Sequence, residues 1–160
     1  MFELLLIAIA LIAGAVVLRW PRKVRVLRVT DGDSIEVQLG RRRVRVRLAG
    51  IDAPEYHQPG GRAARFALDA FLTGHPIRLS IRGRDRFGRV VGRVFVAGRS
   101  ASWQMLQRGH AWPSTKLGFI VALPARLAGR GLWADRHAMR PATWRRLHRL
   151  TAMHPNDRHP

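Results

Sequence analysis

At 160 residues, 47% of them hydrophobic, the chain is long enough for one packed domain and little more. Lys and Arg number 29 against 10 Asp and Glu, a formal net charge of +19, and every cation except Lys23 and Lys116 is Arg. This excludes an acidic disordered chain and points to a polyanionic partner. The absence of Cys excludes a disulfide framework, a thiolate metal centre and a cysteine nucleophile.

Leu4 through Leu18 are apolar or Gly without a break, and Arg19, Arg22 and Lys23 follow. A membrane-spanning helix needs roughly 20 apolar residues, so the run is short, with Phe2 and Trp20 available at its ends. Residues 1–22 are expected to be an N-terminal hydrophobic helix that anchors the chain to a membrane. The positive flank on the C-terminal side favours a domain on the cytoplasmic face. The rival is a cleaved signal peptide and export: Ala13-Gly14-Ala15 offers a small-residue cleavage site, but the leading residues carry Glu3 and no cation.

From Val24 the pattern turns to period two, the signature of half-buried strands. Val24, Val26 and Val29 form the first run. Ile35, Val37 and Leu39 form the second, and Val44, Val46 and Leu48, interleaved with Arg43, Arg45 and Arg47, the third. Ile77, Leu79 and Ile81 make a fourth, and Val90 or Val91 with Val94 and Val96 a fifth that ends at Gly98. Five short strands with Gly at the turns predict a small barrel in a mainly β chain with added helices.

Three helices are expected. Ala63, Phe66, Ala67, Ala70 and Phe71 recur at helical spacing before Gly74 and Pro76. A short helix capped by Ser100 or Ser102 carries Trp103 and Leu106 and stops at Gly109. A third, from about Val121 to Ala128, must hold Pro124 in its first turn or break there. Trp103, Trp133 and Phe66 read as core. The domain is placed at 23–136, followed by a basic C-terminal tail, 137–160, whose Arg140 through Arg149 divide between a solvated face and polyanion contact.

Five of the ten acids, Asp31, Asp33, Glu36, Asp52 and Glu55, fall within 25 residues. In so basic a chain such a cluster calls for a reason. Asp33 starts the second strand just after Gly32, and Ile51 through Glu55 follow the third strand directly, so a hairpin should bring Asp33 and Asp52 together at one end of the barrel. Paired carboxylates with a backbone carbonyl suit a hard cation such as Ca²⁺. Glu55 and Arg47 should reach the same rim. The seven His residues show no ligand spacing, and no zinc site is expected.

Three blocks carry a resemblance: Thr30-Asp31-Gly32-Asp33-Ser34, then Arg47-Leu48-Ala49-Gly50-Ile51-Asp52-Ala53-Pro54-Glu55, then Asp85-Arg86-Phe87-Gly88-Arg89. In order and spacing the sequence resembles the staphylococcal nuclease-like (thermonuclease) family over roughly residues 24–135, with Gly131-Leu132-Trp133 similar to its closing segment. The resemblance implies an OB-fold barrel with three helices and a Ca²⁺-dependent phosphodiesterase acting on DNA and RNA, leaving 5′-hydroxyl and 3′-phosphate ends. It also implies roles: Asp33, Asp52 and the Ala53 carbonyl as metal ligands, Glu55 as the base for the attacking water, and Arg47 and Arg89 as guanidinium groups on the phosphate. Asp31 is then a supporting acid. Arg86, Phe87 and Trp112 are the expected substrate contacts. Phe87 stands where the family has Tyr, and Trp112 is expected to stack on a base in place of a Tyr pair. The alternative function is a non-catalytic, membrane-tethered OB-fold module that binds nucleic acid. A monomer is expected.

Overall fold

A computed structural model describes residues 21–153, with side-chain placements through residue 148. The apolar segment expected to be an anchor or signal lies outside the described residues. Among the described residues no helix is long and apolar enough to cross a membrane.

Strand β1 (Arg22–Asp31), β2 (Ser34–Leu39) and β3 (Arg42–Leu48) form an antiparallel meander. Strands β5 (Ile77–Arg84) and β6 (Val90–Val96) form a hairpin that joins the other edge of β1. Parallel pairing of β3 with β6 then closes these five strands into a barrel. The register shifts in β1 and β5 are bulges, which supply the local twist a small closed barrel requires. The period-two reading holds along β3: Val46 and Leu48 are buried, and Arg43 and Arg45 point to solvent. The interior is filled by Val29, Ile35, Val37, Val46, Leu48, Ile77, Leu79, Val90, Val94 and Val96. Two-residue strands β4 (Ile51–Asp52) and β8 (Trp112–Pro113) pair beside the barrel, and β7 (Arg99–Ser100) adds to β6.

Helix α1 (Gly61–Leu72) packs on β1 through Gly61, Ala64, Ala67, Leu68 and Leu72. The expected stripe through Phe66 is corrected: Phe66 is 75% exposed, because Leu68 and Leu72 bury more apolar surface on the face that Phe66 opposes. Trp103, in α2 (Ala101–Gln107), is likewise 47% exposed and not core. Trp133 is partly buried in the 3₁₀ turn Gly131–Ala134.

Helix α3 (Lys116–Leu127) begins earlier than expected, because the Thr115 hydroxyl accepts a bond from the Gly118 amide and caps it. Pro124 therefore lies inside the helix rather than in its first turn. It removes the bond to the Ile120 carbonyl, and Ile120 is on the exposed face of the helix. A fourth helix, α4 (Pro141–Met153), occupies the stretch read as a tail. Pro141 is well suited to a first helical turn, where its missing N–H leaves no bond unmade, and it is fully buried.

Candidate active site

One rim of the barrel carries four of the five clustered acids, Asp31, Asp33, Asp52 and Glu55, while Glu36 lines a separate hollow with Arg28 and Arg43, and three pieces of local structure put the four there. The β1–β2 turn brings Asp33 to the end of β2. Gly32 makes this possible: a Cβ there would stand 2.6 Å from the Ala64 Cβ and 2.8 Å from the Ala53 Cβ. The register of β2 on β3 sets Ser34 opposite Arg47, and the parallel register of β3 on β6 sets Arg47 opposite Val91. The Asp85–Arg89 loop just before β6 thus arrives beside Arg47. The pairing of β4 with β8 sets Asp52 opposite Trp112.

The side chains meet as the hairpin argument expects. Arg47 donates from Nη1 to Asp33 Oδ2 and from Nη2 to Asp52 Oδ1, both at 2.7 Å. Asp33 is buried, and its oxygens also accept from the Ser34 hydroxyl at 2.9 Å and the Ala53 amide at 3.0 Å. Burial opposes the charge on Arg47, but the Asp33 and Asp52 carboxylates outweigh it and raise the guanidinium further above its ordinary value. Asp31 accepts from the Asp33 amide across the turn. Its carboxyl is pushed up to about 7, first by burial and then by the negative charges of Asp33 and Glu55.

Arg89 lies on the same cleft. Its Nε donates to Asp85 Oδ2 at 2.7 Å, and its Nη1 reaches to 3.5 Å from the Ser34 hydroxyl. Asp85 Oδ1 accepts from the amides of Phe87 and Arg89, each at 2.9 Å, so one carboxylate folds the loop and aims the guanidinium. These bonds overcome the modest burial of Asp85 and lower its pKa. Phe87 is 64% exposed, with Arg86 and Arg89 over its ring at 4.8 and 5.6 Å.

Glu55 stands on the loop into α1. Its amide donates to Gln58 Oε1 at 3.1 Å, and its carboxylate accepts from Arg145 of α4. Gln58 is itself buried and donates to the Met139 carbonyl, which ties the Glu55 loop to the approach of α4.

Asp31, Asp33, Arg47, Asp52, Ala53, Glu55, Arg86, Phe87 and Arg89 all line a single open cleft of about 1010 Å³. Trp112 does not. It is 4% exposed, held in the β4–β8 pair behind Asp52, and offers no face to a base; the expected stacking role is corrected to a packing one. Four cleft-building residues were not singled out as site residues. Asp85 opens the Asp85–Arg89 block, and an Asp followed four residues later by Arg across a Gly turn is a readable signal for a loop that bonds to itself. Gln58, Arg140 and Arg145 depend on where α4 folds back, which no local pattern records.

Among the described residues no three His, Cys, Asp or Glu side chains form a metal-holding group. The donor set predicted from the sequence is different in kind: two carboxylates and one main-chain carbonyl. Arg47 brings Asp33 and Asp52 together on that rim, with the Asp31 and Glu55 carboxylates on the same cleft. That chemistry fits a hard cation with water completing its shell.

A closed five-stranded barrel with carboxylates and guanidiniums gathered on one rim is an OB-type barrel. The chain belongs to the staphylococcal nuclease homologue family, whose sequence model matches residues 45–135. Among its relatives, an uncharacterized endonuclease of Escherichia coli is 38% identical over 127 residues, covering 76% of this chain and 83% of its own. An uncharacterized endonuclease of Haemophilus influenzae is 31% identical over 132 residues, covering 79% and 74%. A micrococcal nuclease of Shigella flexneri is 34% identical over 137 residues, covering 76% and 79%.

Proposed function

We propose that this protein is a calcium-dependent nuclease that hydrolyses phosphodiester bonds in DNA and RNA within the chain. The observation that carries the reading is the Arg47 fork, which draws Asp33 and Asp52 together on the rim that also bears Glu55 and Arg89. The names of the relatives, endonuclease and micrococcal nuclease, support the same class of reaction.

Asp33, Asp52 and the Ala53 carbonyl would hold the Ca²⁺, which when bound supplies positive charge against the diester. Glu55 accepts the proton of the attacking water as its oxygen bonds to phosphorus. The bond to the leaving 5′ oxygen breaks, and that oxygen takes up a proton. Negative charge grows on the non-bridging oxygens during the attack. Arg47 and Arg89 are held by Asp33, Asp52 and Asp85, so they meet that charge without having to be ordered first. Arg47 spends two of its five N–H donors on carboxylates and keeps the rest for phosphate. Lys would lack the planar fork needed for both tasks. Arg86 and Phe87 form an exposed shelf at the mouth of the cleft, suited to contact with the neighbouring nucleotide.

The test is cleavage of single-stranded DNA and RNA by the purified protein with Ca²⁺ and with chelator. Activity should require Ca²⁺ and fall by about a hundredfold or more in Glu55→Gln and in Arg47→Ala. Cleavage that persists in chelator, or that survives both substitutions undiminished, overturns the mechanism.

The apolar segment ahead of β1 extends the proposal: it tethers the barrel to a membrane with the cleft on the cytoplasmic side. Amino-terminal sequencing of the mature protein distinguishes a retained anchor from a cleaved signal.

A further inference from the structure

The cleft draws cations from a second part of the chain. Arg140 and Arg145 line it together with Arg47 and Arg89, and both come from the arm that follows residue 135, beyond the family-matched segment. The arm is fixed rather than trailing. Pro141 is fully buried, the Met139 carbonyl is held by buried Gln58, and Trp144 is partly buried and lines a pocket with Leu132 and Gln58. The arm reaches the catalytic acids through the ion pair of Arg145 with Glu55, whose side chains are 44% and 37% exposed.

We propose that Arg145, with Arg140, is a subsite for a phosphate next to the scissile one, and that Arg145 reaches it by leaving Glu55. This rests on the nuclease reading for the identity of the polyanion. The Glu55 oxygen that accepts from Arg145 is engaged there and not with an attacking water. A half-exposed pair is weak and exchangeable. An incoming strand offers Arg145 a phosphate with oxygens in the same fork geometry. Exchange then does two things at once: it grips the strand and it releases Glu55. Neither effect is available to a substrate with a single phosphodiester, since it has no neighbouring phosphate.

The test is binding of a short fluorescent single-stranded oligonucleotide to the full chain, in chelator so that nothing is cleaved, across a salt series. Arg145→Gln should weaken binding about tenfold at low salt and reduce the magnitude of the log–log salt slope by about 0.7. Arg145→Lys should keep the slope. Arg146→Gln, on the same helix but off the cleft, should keep it as well. Glu55→Gln breaks the ion pair and should tighten binding a few-fold, and that gain should vanish in the double variant with Arg145→Gln. Equal effects of Arg145→Gln and Arg146→Gln, or a Glu55→Gln gain that persists without Arg145, overturn the proposal. So does an Arg145→Gln variant that loses binding to phosphatidylserine vesicles while keeping the oligonucleotide, since the arm would then serve a membrane. Failure of the wild type to cleave with Ca²⁺ would instead sink the nuclease reading and leave the binding result standing.

Discussion

Two guanidiniums grip carboxylates on this cleft, and their surroundings differ. Arg47 is 23% exposed, and one of its partners, Asp33, is 4% exposed. Arg145 and Glu55 are both largely in reach of water. The same pair of chemical groups therefore does different work. At the inner rim, removing one partner leaves a buried charge without compensation, which is costly. At the outer rim, water and salt screen the pair, and either partner can be traded for a new one at little cost. The inner contact builds the site and the outer one is placed to yield.

The sharpest way to break this comparison is Arg47→Ala. It should lower stability by about 3 kcal/mol in a denaturant melt, because the buried Asp33 loses the guanidinium that compensates it, with Asp52 sharing the loss. Added Ca²⁺ should raise the melting midpoint of this variant more than that of the wild type, since a cation takes over the neutralising role of Arg47. Equal shifts would mean that Arg47 and the cation do not share the two carboxylates.

Next come the glycines beneath each contact. A Cβ at Gly61 would stand 1.8 Å from the Glu55 carbonyl oxygen, and main chain cannot yield as a flexible side chain does. At Gly32 the clash is with the Ala64 and Ala53 methyls. Alanine at either position should cost about 1–3 kcal/mol in urea unfolding. Gly32→Ala should also weaken Ca²⁺ binding, by shifting Asp33 and Ala53. Gly61→Ala should leave Ca²⁺ binding intact and lower kcat through Glu55. If both variants lose Ca²⁺ affinity alike, the two rims are one mechanical unit and the contrast drawn between them fails.

Asp85→Asn sits between the extremes. The amide oxygen can still accept from the Phe87 and Arg89 main chain, so the loop should hold, but the charged bond to Arg89 Nε is lost. We expect kcat to fall about tenfold with KM little changed, the pattern of a guanidinium that matters in the transition state. An equal rise in KM would place Arg89 in ground-state binding instead.

How much of this was legible in the sequence follows the reach of each interaction. Strict alternation put Arg43, Arg45 and Arg47 on one strand face, and only the spacing of the sequence blocks set Arg47 at the rim apart from the other two. Hairpin geometry brought Asp33 to Asp52, because antiparallel neighbours meet at their ends. Helix faces were less secure. Phe66 competes with Leu68 and Leu72 for the inward side, and only the shape of the barrel wall decides between them. Trp112 looked like a stacking platform because aromatic residues serve cores and ligands equally well, and only its burial in the β4–β8 pair separates the two. Pro124 misled, since an interior proline costs a helix one bond without having to end it. The basic stretch carrying Arg145 was legible as a candidate polyanion contact, but its fold-back onto Glu55 was not, because that contact spans ninety residues.

The smallest effect expected is also the one that isolates the outer rim. Arg145→Gln should change stability by less than about 1 kcal/mol, because the pair it breaks is screened by solvent and the arm is held elsewhere by Pro141, Gln58 and Trp144. The comparison predicts more than a small number: the change should shrink further as salt is raised, whereas the loss in Arg47→Ala should persist, since screening reaches exposed pairs far more than buried ones. Thermal melts of both variants at low and high ionic strength would measure this directly. If the two losses fall together with salt, Asp33 and Arg47 are no better shielded than Glu55 and Arg145, and the division of the cleft into a fixed rim and an exchangeable one does not hold.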